Sequence, residues 1–275
     1  MAKALDISVD EIRYFLKKNN IHKKQSPGDF DEYRKHKINK KYFDVIDSED
    51  KAYFLGLIYA DGYIPNSGFS ISLKEEDKYI LETLCRYIET DLGCIKLIKA
   101  KEQNGFKARS YYRLTICCTE IAQKLHEYGA IQNKSLILQP PKNIPEKMLN
   151  HFIRGFVDGN GCIFFDKNTK SFRVQIASTL SMVEWLRKYF DGDQKIKKGK
   201  NIFYYDIGGN RKSYFLLSKL YENSSEDLRL KRKYNKFLQC KEIYEYQEIH
   251  RKETWINNLG PYIRNNISGD CELSD

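Results

Sequence analysis

Phe54-Leu-Gly-Leu-Ile-Tyr-Ala-Asp-Gly62 and Ile153-Arg-Gly-Phe-Val-Asp-Gly-Asn-Gly161 are the two stretches on which the fold turns. They align without a gap, Gly155 lying 99 residues after Gly56. In each, small residues recur one helical turn apart: Gly56 with Ala60, and Gly155 with Gly159. Such a stripe strips side chains from one line of a helix and lets two helix backbones touch. Because the stripe occurs twice, the sequence supplies both partners and predicts a helix pair about a pseudo-twofold axis. Asp61 closes the first block and is followed by Gly62, read as a C-terminal cap. A carboxylate there faces the negative end of the helix dipole, at a cost of roughly 0.3–1 kcal/mol, which a bound divalent cation would remove.

Working outward, each block is followed by strands, a Leu-rich helix and a basic cluster. Gly68 to Lys74, Arg109 to Cys117 and Phe172 to Ile176 alternate apolar and polar residues, the period of a strand with one buried face. Helical spacing marks about 77–90, 120–128, 181–189 and 212–222; Leu81, Leu84, Cys85 and Ile88 form one apolar stripe. The basic clusters, Asn133-Lys134-Ser135 and Leu230-Lys231-Arg232-Lys233, bring Lys134 and Lys231 into near-register, 97 residues apart. The expected class is α+β, built from two duplicated units of roughly a hundred residues. Residues 1–45 form an N-terminal helical segment and linker, 46–145 the first unit, 146–240 the second, and 241–275 a C-terminal helix and tail. The segment after Leu5 reads as a Ser8-capped helix with Ile12, Phe15 and Leu16 inward. It is either the second half of a helix-turn-helix or a docking helix.

Composition limits what these units do. The 275 residues carry 47 Lys plus Arg against 37 Asp plus Glu, a net charge of +10 that suits a polyanion, nucleic acid first. Hydrophobic residues at 41% and charged residues at 31% exclude a disordered chain, and no apolar run approaches the ~20 residues of a spanning helix. Seven cysteines and five histidines show no zinc-ligand spacing, which suggests reduced thiols in an intracellular protein, of cytoplasm or nucleoid; an organellar or phage-encoded origin stays open.

The paired blocks resemble the two copies of the LAGLIDADG homing endonuclease motif, as do the approaches Asp44 to Tyr53 and Ile144 to Phe152. The resemblance covers about residues 44–240. It implies a single-chain, monomeric enzyme of two pseudo-symmetric αββαββα subdomains whose saddle-shaped antiparallel sheets lie in the major groove of double-stranded DNA. It further implies divalent cations, usually Mg2+, held by the last acid of each motif with the preceding carbonyl: Asp61 with Ala60, and Asn160 with Gly159. Metal-activated water would then attack the scissile phosphate. By position, Lys134 and Lys231 would organise water and offset developing charge. The second motif departs from the family, with Asn160 in place of an acid. An amide binds Mg2+ more weakly, so cutting of both strands, nicking of one, and binding without catalysis all follow as outcomes. Asp158 does not stand in for it, since two residues along a helix turn a side chain about 200° away.

The outward strand faces carry the DNA-binding candidates. Arg109, Arg113, Arg173 and Gln175 suit guanine and adenine edges, with Ser70, Ser72, Lys74 and Lys96 accessory. The basic runs 195–200 and 229–236 would serve phosphates. Two rivals to the endonuclease are a sequence-specific DNA-binding regulator that has lost catalysis and an intron RNA maturase, since the same basic surface suits structured RNA.

Overall fold

A computed structural model describes residues 8–19, 36–100, 109–132 and 134–266. Residues Met1–Lys37 and Ile38–Asp275 form separate units. In the first, helix α1 (Val9–Lys18) begins at a reciprocal cap. The Ser8 N–H donates to Glu11 Oε2 at 2.9 Å and the Glu11 N–H to Ser8 Oγ at 3.2 Å, so two helix-end donors are satisfied together. Phe15, expected inward, is instead 60% exposed, because among the described residues of this unit a ten-residue helix has no second layer to bury it. Leu16 is half-buried, and the side chain of Ile12 lies outside the described residues.

The second unit opens earlier than the sequence suggests. Tyr42, Phe43 and Ile46 are buried in its core, and the Tyr42 hydroxyl donates to Asp50 at 2.6 Å. Helix α2 (Glu49–Asp61) leads into β1 (Gly62–Tyr63), β2 (Phe69–Lys74), α3 (Lys78–Tyr87), β3 (Ile95–Ile98), β4 (Tyr111–Ile116) and α4 (Thr119–Glu127). Helix α5 (Glu146–Asn160) opens the same sequence again: β5 (Gly161–Asp166), β6 (Ser171–Ser178), α6 (Leu180–Tyr189), β7 (Lys197–Lys198), β8 (Phe203–Gly208) and α7 (Asn210–Tyr221). Helix α8 (Lys231–Asn266) follows, and begins ten residues before the C-terminal segment that the sequence set off at 241.

Each half is αββαββα with one four-stranded antiparallel sheet, in the orders β1-β2-β4-β3 and β5-β6-β8-β7. The period-two pattern decides which face is buried. Phe69, Ile71 and Leu73 sit under the first sheet with Leu114 and Ile116; Phe172, Val174 and Ile176 sit under the second with Tyr205 and Ile207. Leu81, Leu84, Cys85 and Ile88 are all inaccessible, as their helical spacing requires. Between the halves runs the α2–α5 pair, with every residue from Ala52 to Ala60 buried. The six described cysteines, four of them buried, form no disulfide. Among the described residues no helix is long and apolar enough to cross a membrane.

Candidate active site at the helix seam

The stripe of small residues brings α2 and α5 into backbone contact. A Cβ on Gly56 would lie 1.9 Å from the Phe152 carbonyl oxygen, and one on Gly155 would lie 2.0 Å from that of Tyr53. Lower on the seam, a Cβ on Gly159 would lie 2.3 Å from Ala60 Cβ and 3.1 Å from Asp61 Oδ2. The seam therefore delivers the end of one motif helix, carboxylate included, to the end of the other. Gly62 and Gly161 have extended rather than left-handed backbones, so they are not αL caps. Each is glycine because the chain turns tightly off the helix: a Cβ would come within 2.4 Å of the Ile58 oxygen or 2.5 Å of the Val157 oxygen.

Two buried lysines fasten these ends. Lys134, on a short 3-10 turn (Lys134–Leu136), donates through Nζ to the carbonyls of Ile58 at 2.7 Å and Gly62 at 2.5 Å. In the second half the same bonds run to Val157 at 2.7 Å and Gly161 at 2.6 Å, with Asp158 O as a further acceptor. The donor there is Lys233, not Lys231. Lys231 is held elsewhere, with its backbone N–H on the Tyr79 hydroxyl at 2.6 Å and its ammonium 4.9 Å from the Tyr79 ring centre. The correction was legible: Lys134 to Lys233 keeps the 99-residue spacing of the motif, whereas Lys231 breaks it.

Burial lowers both ammonium groups to a pKa of about 8; the Asp61 charge opposes the shift at Lys134, as Asp158 and Asp61 do at Lys233. The Asp61 side chain reaches solvent on its open side. The protein mass behind it raises its carboxyl pKa, while Lys233, Lys134 and Arg232 pull the other way. Asn160 is half-buried at the matching place. The donors gathered here are hard oxygens: the Asp61 carboxylate, the Asn160 amide, and the carbonyls of Ala60 and Gly159 in last helical turns, where no further helix N–H follows to take them. They fit a divalent cation of the Mg2+ class, with one full negative charge rather than two.

Asp158 lies in a buried network of its own. It is fully buried and accepts from Tyr53 Oη at 2.9 Å, Tyr221 Oη and the Leu230 N–H at 2.9 Å. Beside it on α5, the buried Arg154 guanidinium donates to the carbonyls of Leu228 and Leu220, leaving one nitrogen without a partner among the described residues. This network ties α5 to the start of α8, from which Lys233 projects. Much of the basic run 229–236 is thereby internal: Arg229 donates to Ser224 O, and Arg232 pairs with buried Asp77 at 2.8 Å.

The sheet faces differ. In the first sheet Arg113 is exposed, stands opposite Ser72 and Lys96 in register, and donates to Ser72 Oγ at 3.0 Å and Tyr111 Oη at 3.1 Å. Ser70 is half-buried on the same face, while Lys74 and Arg109 are exposed beside Glu75 and Glu76 at its margin. In the second sheet Gln175 is half-buried opposite Asp206. Arg173 is not the free guanidinium that its strand position suggests. It donates to Asp206 through Nη2 at 2.7 Å and Nε at 3.3 Å, and its Nη1 lies 3.6 Å from Asp166. Lys197 bonds to the same Asp206 carboxylate. Burial pushes the Asp206 carboxyl up, and Lys197 and Arg173 outweigh it to hold the group below its usual range.

Residues 48–128 match the family model of the LAGLIDADG-like domain. The first half is thus similar to a LAGLIDADG-like domain. Among solved structures, the chain is similar to the LAGLIDADG meganuclease I-AabMI bound to uncleaved DNA, at 16% identity over 72% of this chain and 91% of that one, with a TM-score of 0.50. It also resembles the LAGLIDADG meganuclease I-CpaMI bound to uncleaved DNA (13% identity, 76% and 96% covered, TM-score 0.46) and the LAGLIDADG homing endonuclease I-GzeII in complex with its DNA target (13%, 73% and 91%, 0.46). No curated protein sequence matches the chain. The likeness to I-AabMI and the matched domain establish a two-domain LAGLIDADG fold, with the second domain built on the 99-residue repeat.

Proposed function

We propose that this LAGLIDADG chain is a site-specific DNA endonuclease of the homing type, acting as a monomer inside the cell, and that Asp61 dominates its hydrolytic centre. One observation carries the reading: the seam presents Asp61 beside Gly159 and between two buried lysines, at the junction of two sheets with polar outer faces. Asp61, Asn160 and the carbonyls of Ala60 and Gly159 would hold Mg2+ or a similar divalent cation. When bound, such an ion supplies an activated water and stabilises the leaving oxygen of a phosphodiester. Lys134 and Lys233 hold the helix ends in place and set positive charge behind the carboxylate, which favours a scissile phosphate there. Arg113 with Ser72, Ser70 and Lys96, and Arg173 with Gln175, face the major groove; Lys74, Arg109 and the exposed run 195–200 serve its edges and phosphates. The lone carboxylate makes the centre asymmetric, so one strand is cut faster than the other and nicked duplex accumulates.

A second reading, a regulator that binds DNA without cutting it, draws on Asn160, which leaves half of the centre uncharged. The two separate on a duplex selected by the protein from random sequence and labelled on each strand. In Mg2+ the endonuclease reading expects nicked product lost in Asp61→Asn, and faster cutting of the second strand in Asn160→Asp. A wild-type protein that binds the duplex and leaves both strands intact in Mg2+ and Mn2+ favours the regulator.

A further inference from the structure

The second sheet carries, on its outward face, a carboxylate that the first sheet lacks. By register, Gly62 and Gly161 open equivalent strands, which makes Thr115 the counterpart of Asp206, Arg113 that of Tyr204, and Lys96 that of Lys197. The Asp206 side chain is only 2% exposed although it stands on the open face, because Arg173 and Lys197 cover it. Arg173 reaches it by lying across Gly208, its cross-strand partner, with the guanidinium carbon 3.6 Å from where a Cβ there would be. A charged side chain on a DNA-facing strand usually keeps its freedom until it binds; this one has been fixed beforehand.

We propose that Asp206 is a positioning residue for base recognition, fixing Arg173 so that it reads a guanine in the half-site under the second sheet. The inference rests on the DNA-binding reading above. Asp206 takes the Nε and Nη2 edge of the guanidinium. Asp166 pairs with Nη1 at 3.6 Å, longer than a direct hydrogen bond, so the Nη1–Nη2 edge can exchange that looser contact for a base. That remaining edge offers two parallel N–H donors, the pattern that matches guanine O6 and N7 and no other base edge in the major groove. Pre-fixing the fork lowers the entropy lost on binding, and the buried carboxylate sharpens its direction. In the first sheet Arg113 is held by the neutral hydroxyls of Ser72 and Tyr111, so the two half-sites are read by different means.

The test selects the full-length chain against a pool of random-sequence double-stranded DNA, without Mg2+ to prevent cleavage. Wild-type protein is expected to enrich a site with one strongly guanine column in the half-site under the second sheet. Asp206→Asn and Arg173→Ala should each flatten that same column by roughly tenfold and leave the others in place. Asp206→Asn should add nothing on the Arg173→Ala background. Asp193→Asn makes the same charge change at an exposed partner of Lys212, away from Arg173, and should leave the column intact. A thermal melt of each variant verifies folding, and Arg173→Lys provides a second variant that keeps the charge but loses the fork. A guanine column that survives Asp206→Asn, or Asp206 and Arg173 variants that alter different columns, overturns the inference while the DNA reading stands. Wild-type protein that enriches no sequence overturns both.

Discussion

The two halves of this protein share a backbone plan and differ at the positions where chemistry and recognition would occur. The first motif ends in Asp61, the second in Asn160. Across the seam, Tyr53 donates to buried Asp158, while the mirrored pair, Phe152 and Tyr59, meets as rings 5.2 Å apart at 74°. The first sheet offers Arg113 backed by hydroxyls, the second Arg173 backed by carboxylates. What the halves keep in common is equally informative: the glycines of the seam and the lysine on the last-turn carbonyls recur at one spacing. After duplication, features that serve both halves at once are constrained by the partner's backbone. Features that serve one half-site are free to diverge.

The seam is where a single change should do most damage, and where the halves should behave alike. Gly56→Ala and Gly155→Ala each drive a methyl group into a carbonyl of the opposite helix. Each is expected to cost about 3 kcal/mol or more by urea unfolding, near the upper end for overpacking. A difference of more than about 1 kcal/mol between them would show that the axis is less symmetric than its geometry. Chemistry should break the symmetry instead. Removing the Asp61 charge with Asp61→Asn is expected to lower strand cleavage by roughly a hundredfold or more, with DNA affinity in the absence of metal little changed. Asn160→Asp should act in the opposite direction on the other strand; equal effects of these changes on both strands would dissolve the proposed asymmetry.

Smaller effects sharpen the contrast within the core. Tyr53→Phe makes position 53 match its counterpart Phe152 and leaves the Asp158 carboxylate one donor short, which should destabilise the fold by about 1–3 kcal/mol. The corresponding Phe152→Tyr change has no acceptor on the opposite helix at Tyr59's ring and should not restore that loss. A further signal within the core is the pH dependence of Lys134. Its pKa falls from 10.5 unfolded to about 8 folded through burial, so between those values the unfolded chain binds more protons. The penalty for burying its charge is present below pH 8 and is relieved as pH rises toward 10.5. The stability of the wild type relative to Lys134→Met should therefore increase over that window, measured by urea unfolding at fixed pH values. A flat difference would show that the ammonium is not held as buried as its bonds to Ile58 and Gly62 imply.

Local signals account for much of the architecture. The duplicated block and its small residues mark the helix pair, because close backbone approach leaves a direct trace in composition. Alternation marks β2, β4 and β6 with the correct inward faces, because a half-buried strand must have period two. The turn glycines were legible as glycines but for another reason: close approach to the Ile58 and Val157 carbonyls, not a left-handed backbone. Lys233 was hidden within a run of three basic residues, where only strict adherence to the 99-residue spacing separates it from Lys231. Phe15 was placed inward because an apolar residue on a short helix carries no mark of what it faces.

The sequence by itself determined the repeat, the seam, the strand faces and the departure at Asn160, since each is written in residues close together or at a fixed interval. Only the tertiary structure decided that Asp158 serves a buried brace and that Arg173 is bound by Asp206. Those depend on side chains 33 to 105 positions apart meeting at hydrogen-bond distance, and local periodicity along a chain holds no information about such meetings.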